Sequence, residues 1–380
     1  MVVAQMKKMR VLMVTARYFP HMGGIETHVH EVGRRLVQND VDITLLTTVA
    51  QQPATPLPRE EEVEGMRVLR IPAWPAQRDY YIAPEIFSIV KQGNWDLVHC
   101  QGCHTFVPLL AMYAAREAGI PYMLTFHTGG HSSNWRNSIR KVQWQVQRPL
   151  LKHAARLIGV SRFEASYFRT LLHLPQEQFT VIPNGAVVPE VVVRTAPETG
   201  TLLITSIGRL EKYKGHQRMI SALPAILERR PEARLLILGV GPYKAALEAK
   251  AKELGVAARI EIRSVPAHDR QAMADILMSS ALVTLLSDYE AHPIAVMEAL
   301  ALKRPVLVAD TSGLHEIAEQ GFARAVPLEC SPEEIARLAL KQIEEPLQPP
   351  AEFALPTWDE CAQKLLDIYT SVAEKKLCAF

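Results

Sequence analysis

Glu290 and Glu298 flank the start of a predicted helix, with seven residues between them. The apolar run 281–286 before them has the length and composition of a buried parallel strand, and the chain from Pro293 onward has helical periodicity. The segment is therefore predicted to be a strand-to-helix turn. We expect Pro293 to be the first helical residue, because a proline there leaves no N–H unsatisfied and has a suitable φ angle.

This turn could bind a ligand that has both hydroxyls and phosphates. The backbone N–H groups of Ile294 and Ala295 have no partner within the first helical turn, so they favour an anion or a hydroxyl. Glu290 lies just before the helix and Glu298 about one and a half turns into it, so both carboxylates can face one crevice. Two surface carboxylates at a helix start are the ordinary alternative, and further motifs have to decide.

A second candidate cluster follows the apolar run 202–207 and contains Gly208, Arg209, Lys214 and Gly215. Arginine offers a planar fork of donors to phosphate oxygens, and lysine offers a compact positive charge. A surface pair of this kind would mean little alone. Together with the two glutamates downstream, it points to a diphosphate ligand.

Apolar runs alternate with helical patterns along the whole chain, which is typical of βαβ units with parallel sheets. We expect an α/β protein with two similar domains, 1–185 and 186–355, followed by an amphipathic helix within 356–380. Ligands bind beyond the carboxyl ends of such strands, so two halves that face each other would form one central cleft. The predicted strands are 11–15, 43–47, 97–100, 123–127, 157–160, 202–207, 235–238, 260–262, 282–286 and 306–309.

Composition and charge exclude few functions. The chain has 380 residues, 48% of them hydrophobic, and a net charge of +2, whereas strong nucleic-acid binders usually carry far more positive charge. Five cysteines without regular spacing and no signal peptide favour a reducing cytoplasm. No apolar run approaches the ~20 residues that span a bilayer. Peripheral attachment to the inner face of the cell membrane stays open.

The order of these motifs along the chain resembles that of the retaining glycosyltransferases of family GT4, whose GT-B fold has two Rossmann-like domains. The residues that carry the resemblance are the Glu-x7-Glu pair Glu290 and Glu298, the Gly-Arg-Leu…Lys-Gly element from Gly208 to Gly215, and the pair Gly23 and Gly24 after the first strand. The resemblance implies an acceptor-binding domain at 1–185, a nucleotide-sugar-binding domain at 186–355, and a final helix in 356–380 that crosses back towards the first domain.

The resemblance also implies catalytic and binding roles in the second half of the chain. Arg209 and Lys214 would hold the donor diphosphate and stabilise the charge that develops on the leaving group. Glu298 would bind the ribose hydroxyls. Glu290 would orient the sugar through electrostatics and position, without forming a covalent bond to it.

Backbone groups and one histidine complete the site that the resemblance implies. N–H groups at Gly23 or Gly24, and at Ile294 and Ala295, would contact the donor diphosphate. His127, at the end of a predicted strand, would lie beside the transferred sugar.

On this resemblance we expect an enzyme that moves a hexose-type sugar from a nucleotide-diphosphate donor to a hydroxyl acceptor. The donor expected first is a UDP-sugar, and the acceptor is a small molecule, a lipid or a growing glycan. The leaving phosphate would help to deprotonate the acceptor on the same face, so no dedicated nucleophile is needed. The resemblance implies retention of anomeric configuration, and we expect neither a catalytic metal nor a cofactor. A sugar-nucleotide 2-epimerase and a catalytically weakened, lipid-docked GT-B binding protein are the alternatives.

Two other motifs in the first half suggest metal or haem chemistry. Asp40 and Asp42 match the Asp-x-Asp metal motif of other glycosyltransferases, but they precede the second strand and are expected at the end opposite the cleft. Cys100, Cys103 and His104 have the spacing of c-type haem attachment, which requires an exported protein. We interpret both as structural, and expect Gln101 and His104 near the acceptor.

A basic stretch, 135–162, is the most unusual composition of the chain, because no acidic residue lies between Glu117 and Glu164. Pro149 is expected to break or kink its helix. Solvation, binding of an anionic acceptor and docking on an anionic membrane all stay open. The stretch contains Trp135, Arg136, Arg140, Lys141, Trp144, Arg148, Lys152, Arg156 and Arg162.

Some positions depart from the family pattern. Ala291 follows the first glutamate where glycine is usual, and Lys303 stands where a glycine usually precedes the next strand. Ser312 and His315 interrupt a common Gly-Gly-x-Pro pattern. These departures leave phosphate binding intact and leave the identity of the donor sugar open.

Overall fold

The computed structural model describes residues 8–21, 23–49, 56–75, 82–103, 105–127, 134–186, 200–266, 269–350 and 355–377, with side chains left aside at 134–142 and 375–377. The chain forms two compact units. The first contains the chain up to residue 128, residues 138–185 and the residues from 356 onward, and the second contains residues 129–137 and 186–355.

The first unit is a sheet with helices on its faces. Its elements are β1 Met9–Thr15, α1 Gly24–Gln38, β2 Val41–Val49, β3 Glu60–Val63, β4 Met66–Pro72, α2 Glu85–Gln92, β5 Leu97–Gln101, α3 Phe106–Glu117, β6 Tyr122–Thr125, α4 Asn134–Leu151, β7 Arg156–Gly159, α5 Arg162–Leu172 and β8 Phe179–Val181. The strand order is β3-β4-β2-β1-β5-β6-β7-β8. All neighbours are parallel except β3 and β4. The order reverses at β1, where ligands of open α/β sheets bind.

The second unit repeats this plan in a smaller parallel sheet. Its elements are β9 Leu202–Ile207, α6 His216–Arg229, β10 Ala233–Leu238, α7 Lys244–Glu253, β11 Ile260–Arg263, α8 Arg270–Ser279, β12 Leu282–Leu285, α9 Ile294–Ala301, β13 Val306–Ala309, α10 Ser312–Glu319, β14 Arg324–Val326 and α11 Pro332–Glu344. The strand order is β11-β10-β9-β12-β13-β14, so it reverses at β9. The predicted pair of parallel-sheet α/β domains is confirmed.

The last helix, α12, spans Trp358–Leu377 and belongs to the first unit, where it packs on α1. Its buried side chains recur at helical spacing, as an amphipathic helix requires. They are Trp358, Cys361, Ala362, Leu365, Tyr369 and Val372. Among the described helices, none combines the length and the apolar composition needed to cross a bilayer.

Two expectations about proline can be compared with the helix bounds. Helix α4 includes Pro149 and ends two residues later, at Leu151, so the proline lies in its last turn and the missing N–H removes a bond to the turn before. Helix α9 begins at Ile294, one residue later than predicted, since Pro293 has an extended ψ of 113° and caps the helix.

Part of the basic stretch 135–162 lies outside the described residues, namely the side chains of Trp135, Arg136, Arg140 and Lys141. His104 and His131, which precede the stretch, lie wholly outside them. In its described part, Trp144 is buried against Phe126 and Phe168. Arg148 Nε donates to the carbonyl of Leu172 at 2.6 Å, and Arg156 Nη1 donates to that of Glu177 at 2.5 Å. These contacts give both arginines a structural role.

Gly215 provides a test of the packing between β9 and β12. It has φ +76°, and a Cβ there would lie 1.8 Å from the carbonyl oxygen of Leu286. Gly255 in the same unit has φ +69° and nothing within 4 Å of such a Cβ. We expect Gly255→Ala to lower the free energy of unfolding by about 1–2 kcal/mol through left-handed strain alone, and Gly215→Ala by about 1–3 kcal/mol more, because its methyl meets backbone. Urea unfolding measures both, and equal losses would contradict this packing.

Candidate active site

The central feature of the second unit is an ion pair between Lys214 and Glu290. Lys214 follows β9 and Glu290 follows β12, and these strands pair in parallel, so both residues lie at the same edge of the sheet. Lys214 Nζ is 2.5 Å from Glu290 Oε1, and the two side chains are 14% and 11% exposed. Burial alone would lower the pKa of the Lys214 ammonium, but the Glu290 carboxylate outweighs it and the pKa is raised. Lys214 is therefore charged near pH 7.

Glu290 is held on all sides by hydrogen bonds. Ser287 Oγ donates to Glu290 Oε1 at 2.8 Å. The N–H of Glu290 donates to Ser312 Oγ at 2.8 Å, and its carbonyl accepts from the N–H of Gly313 at 2.8 Å. The carboxylate is thus fixed in orientation as well as neutralised.

The start of α9 lies next along the chain and carries no side-chain cap. Ile294 and Ala295, whose N–H groups belong to the unsatisfied first turn, are half-buried. Further along α9, Glu298 is 5% exposed and pairs with Arg270, the first residue of α8. Burial raises the pKa of Glu298, and the Arg270 guanidinium opposes this only in part.

Arg209 lies on the exposed side of the same edge, after β9. Its Nη2 donates to Tyr213 Oη at 2.8 Å. Beneath it, buried His216 lies with Nδ1 2.8 Å from Ser206 Oγ and Nε2 3.2 Å from the Arg209 carbonyl. Burial lowers the pKa of His216 to about 4, so the ring is neutral near pH 7 and its Nε2–H supports the Arg209 backbone.

The predicted residues of the first unit lie after β1 and β6. Gly23 has an extended backbone and caps α1, which begins at Gly24. A Cβ at Gly24 would have nothing within 4 Å, so the backbone there is open to approach. His127 lies two residues beyond β6, in the left-handed region at φ 48°. That conformation ends the strand earlier than predicted.

His127 is connected to α1 and to β5. Its ring lies edge-on to His28 with 4.5 Å between centroids, and His28 Nδ1 is 2.8 Å from Asn184 Oδ1. Burial lowers the pKa of His28 to about 4, so it is neutral near pH 7. His127 Nε2 is 2.9 Å from Oε1 of Gln101, which is itself 2% exposed.

The structure thus brings Arg209, Lys214, Glu290, the start of α9 and Glu298 together in one unit, and places Gly23, Gly24 and His127 in the other. Sequence reasoning missed four residues that hold the second group in place, namely Ser206, His216, Arg270 and Ser287. Ser287 lies three residues before Glu290 and could have been suspected as its partner. Arg270 lies 28 residues before Glu298, and no local pattern links the two.

The residues of the metal-like and haem-like motifs form ion pairs or are buried in the fold. Asp40 pairs with Lys8 at 3.0 Å and Asp42 with Arg10 at 3.5 Å, at the amino end of β2. Cys100 and Cys103 are buried free thiols, and burial raises the pKa of both. Across the described ranges, no group of three or more His, Cys, Asp or Glu side chains is placed to hold a metal ion.

Comparison with family models gives two matches that together span most of the chain. Residues 22–188 match Glycosyltransferase Family 4, and residues 190–354 match Glycosyl transferases group 1. The chain is also 26% identical over 388 residues to the D-inositol 3-phosphate glycosyltransferase of Nocardiopsis dassonvillei, covering 91% of this chain and 89% of that protein.

Solved structures share the fold over nearly the whole chain. HepE of Anabaena, in complex with UDP and glucose, matches with a TM-score of 0.70 at 18% identity, covering 98% of this chain and 100% of that one. Sucrose-phosphate synthase of Thermosynechococcus elongatus matches with a TM-score of 0.69 at 17% identity and 97% coverage of both chains. The predicted family, fold and class of enzyme are confirmed: the chain belongs to glycosyltransferase family 4 and is a glycosyltransferase with the GT-B fold.

Proposed function

We propose that this glycosyltransferase transfers a hexose-type sugar from a nucleotide-diphosphate donor to a hydroxyl acceptor, with retention of anomeric configuration and without a metal ion. The observation that carries the proposal is the buried Lys214–Glu290 pair beside the uncapped start of α9. It combines a fixed positive charge, a fixed carboxylate and unsatisfied N–H groups at one sheet edge. A sugar diphosphate needs all three.

The diphosphate is the part of the donor that these charges suit. Lys214 is charged and held in place by Glu290, and Arg209 is exposed on the same edge. Charges fixed before the reaction stabilise a leaving group without reorganising. The first N–H groups of α9, at Ile294 and Ala295, add donors of the kind that bind phosphate at helix starts.

The carboxylates suit the hydroxyls of the donor. Glu298 would accept hydrogen bonds from the ribose, and those bonds would favour its charged form against the burial that raises its pKa. Glu290 already accepts from Lys214 and Ser287 through Oε1. Those bonds lower its nucleophilicity, which supports an orienting role rather than a covalent one.

In this proposal no side chain acts as a covalent nucleophile or as the base for the acceptor. The acceptor hydroxyl attacks on the face that the diphosphate leaves, and the leaving phosphate takes its proton. Retention of configuration is then expected. Asp40 and Asp42 lie at the amino end of β2, opposite the carboxyl ends of the strands where ligands of such sheets bind, so we assign them no role in catalysis.

We expect the donor site to bind UDP in preference to the other nucleoside diphosphates, because the similar HepE structure of Anabaena holds UDP. A thermal-shift panel of UDP, GDP, ADP and TDP in the presence of EDTA tests this. A ligand at 100 times its Kd adds about 2.7 kcal/mol of stability, which raises the melting temperature visibly. A shift with UDP alone is expected. No shift with any of the four, in folded protein, would contradict a metal-independent donor site.

The stereochemistry of transfer has its own test. With an α-configured sugar nucleotide, slow hydrolysis by water should first release the α-anomer, because the water replaces the acceptor on the same face. Proton NMR of the first-formed sugar, recorded before mutarotation, distinguishes the two outcomes. Release of the β-anomer first would refute the retaining mechanism and leave the glycosyltransferase activity unaffected.

Lys214→Ala should lower turnover by roughly 10²–10³, the usual loss when one preorganised charge stabiliser is removed. Lys212→Ala is the matched control, since Lys212 lies on the exposed side of the same turn. Turnover is measured where both variants are folded, because an unpaired buried Glu290 costs about 3–5 kcal/mol. Near-normal turnover in Lys214→Ala would remove Lys214 from the diphosphate role.

Gly24→Ala tests whether the donor approaches the backbone of α1. The added methyl meets no atom within 4 Å, so the free energy of unfolding should change by less than about 1 kcal/mol. Turnover should fall at least about 10-fold, because the methyl occupies the space that a phosphate would enter. Unchanged kinetics would show that no ligand comes close to this glycine.

A further inference from the structure

A row of buried polar side chains lies behind His127 in the first unit. Gln101 is the last residue of β5 and pairs in register with Thr125 of β6, two residues before His127. Its Oε1 accepts from the Nε2–H of His127 at 2.9 Å. A buried amide in this position can dictate which nitrogen of the imidazole carries the proton.

The other end of the Gln101 amide faces His99. Gln101 Nε2 lies 3.3 Å from both ring nitrogens of His99. Burial lowers the pKa of His99 to about 3, so its ring is neutral near pH 7 and keeps an acceptor nitrogen. The amide therefore has a donor end towards one histidine and an acceptor end towards the other.

His99 is fixed in turn by two hydroxyls. Its Nδ1 is 2.6 Å from Tyr369 Oη on α12, and its Nε2 is 2.9 Å from Thr125 Oγ1. Tyr369 is fully buried, and burial raises the pKa of its hydroxyl. The C-terminal helix is thus linked to His127 by three successive hydrogen bonds, through His99 and Gln101.

Three titratable groups of the described first unit lie near His127 or Gln101, namely His28 from α1, His99 from β5 and Tyr369 from α12. All three are neutral near pH 7, because burial lowers the pKa of each histidine and raises that of the tyrosine. The contact between His127 and Gln101 is therefore made beside groups that carry no charge near pH 7.

We propose that Gln101 is a positioning residue, which keeps a proton on Nε2 of His127 and fixes the orientation of the ring. His99 fixes the orientation of the Gln101 amide, with Nε2 towards His99 and Oε1 towards His127. Its catalytic part rests on the proposed function and on the position beside the transferred sugar that the family resemblance implies for His127, but the tautomer itself is a property of the free protein.

The first test therefore needs no donor. Nitrogen-15 NMR of histidine-labelled protein reports the tautomer of His127, whose signals are identified by their loss in His127→Ala. We expect the Nε2–H form alone in the native protein, and a mixture of tautomers in Gln101→Met, which keeps the size of the side chain and removes both polar ends. A His127 signal unchanged in Gln101→Met would overturn the proposal.

A second variant changes the charge. In Gln101→Glu, the carboxylate favours the imidazolium, so the pKa of His127 should rise by roughly 1–3 units. His127 is then charged below the raised pKa and becomes neutral only above it. Gln176→Glu is the matched control, because Gln176 is exposed in the same unit and accepts from Arg169. An NMR titration midpoint equal in both variants would contradict the contact.

Kinetics separates this proposal from the proposed function. If the protein transfers sugar, Gln101→Met should lower kcat about 10-fold with little change in KM, the loss of one hydrogen bond that orients a group. If no donor is ever found, the NMR experiments still decide the role of Gln101. Normal kcat with a changed tautomer would keep the contact and refute its catalytic importance.

Discussion

The carboxylate of Glu290 has to be neutralised where it lies, because removing an ionised group from water costs several kcal/mol. Lys214 supplies the charge and Ser287 a hydrogen bond, while Ser312 accepts the backbone N–H of Glu290. These partners come from the loop after β9, the loop after β12 and the start of α10. One buried acid thus ties together three connections of the second sheet, and the pair it forms with Lys214 is the same one that a sugar diphosphate would use.

The fold was largely predictable, because strands buried on both faces appear in the sequence as apolar runs. All ten predicted runs correspond to strands. The elements that escaped prediction have other signals. Strand β3 is Glu-Glu-Glu-Val at an exposed edge, where no apolar pattern is required, and β8 and β14 have three residues each. Strand β4 lies between β3 and β2, and Arg67 and Arg70 interrupt its apolar residues, so its sequence does not read as an apolar run.

The sequence predicted that Lys214 and Glu290 would each follow a parallel strand, and the structure places both at the same sheet edge; their roles stay predictions. Partners chosen by tertiary contacts were not predictable, as for Arg270, which reaches Glu298 across 28 residues. The departures from the family pattern at Lys303 and Ser312 also gain a physical meaning. Both lie in the left-handed region, at φ 53° and 49°, which glycine adopts without strain. The chain keeps the backbone conformation and tolerates the side chain, and at Ser312 that side chain binds Glu290.

The two units use different electrostatic strategies. The second unit places full charges at its sheet edge, as the binding of a diphosphate requires, and balances each buried acid with a base, Lys214 for Glu290 and Arg270 for Glu298. In the first unit, His28 contacts His127 directly and His99 is linked to it through Gln101, and burial keeps both of these histidines neutral. A neutral network orients a ring without attracting counter-ions or protons. Fixed charges suit the charge that develops on a leaving diphosphate, which is why the proposed function places the donor diphosphate in the second unit.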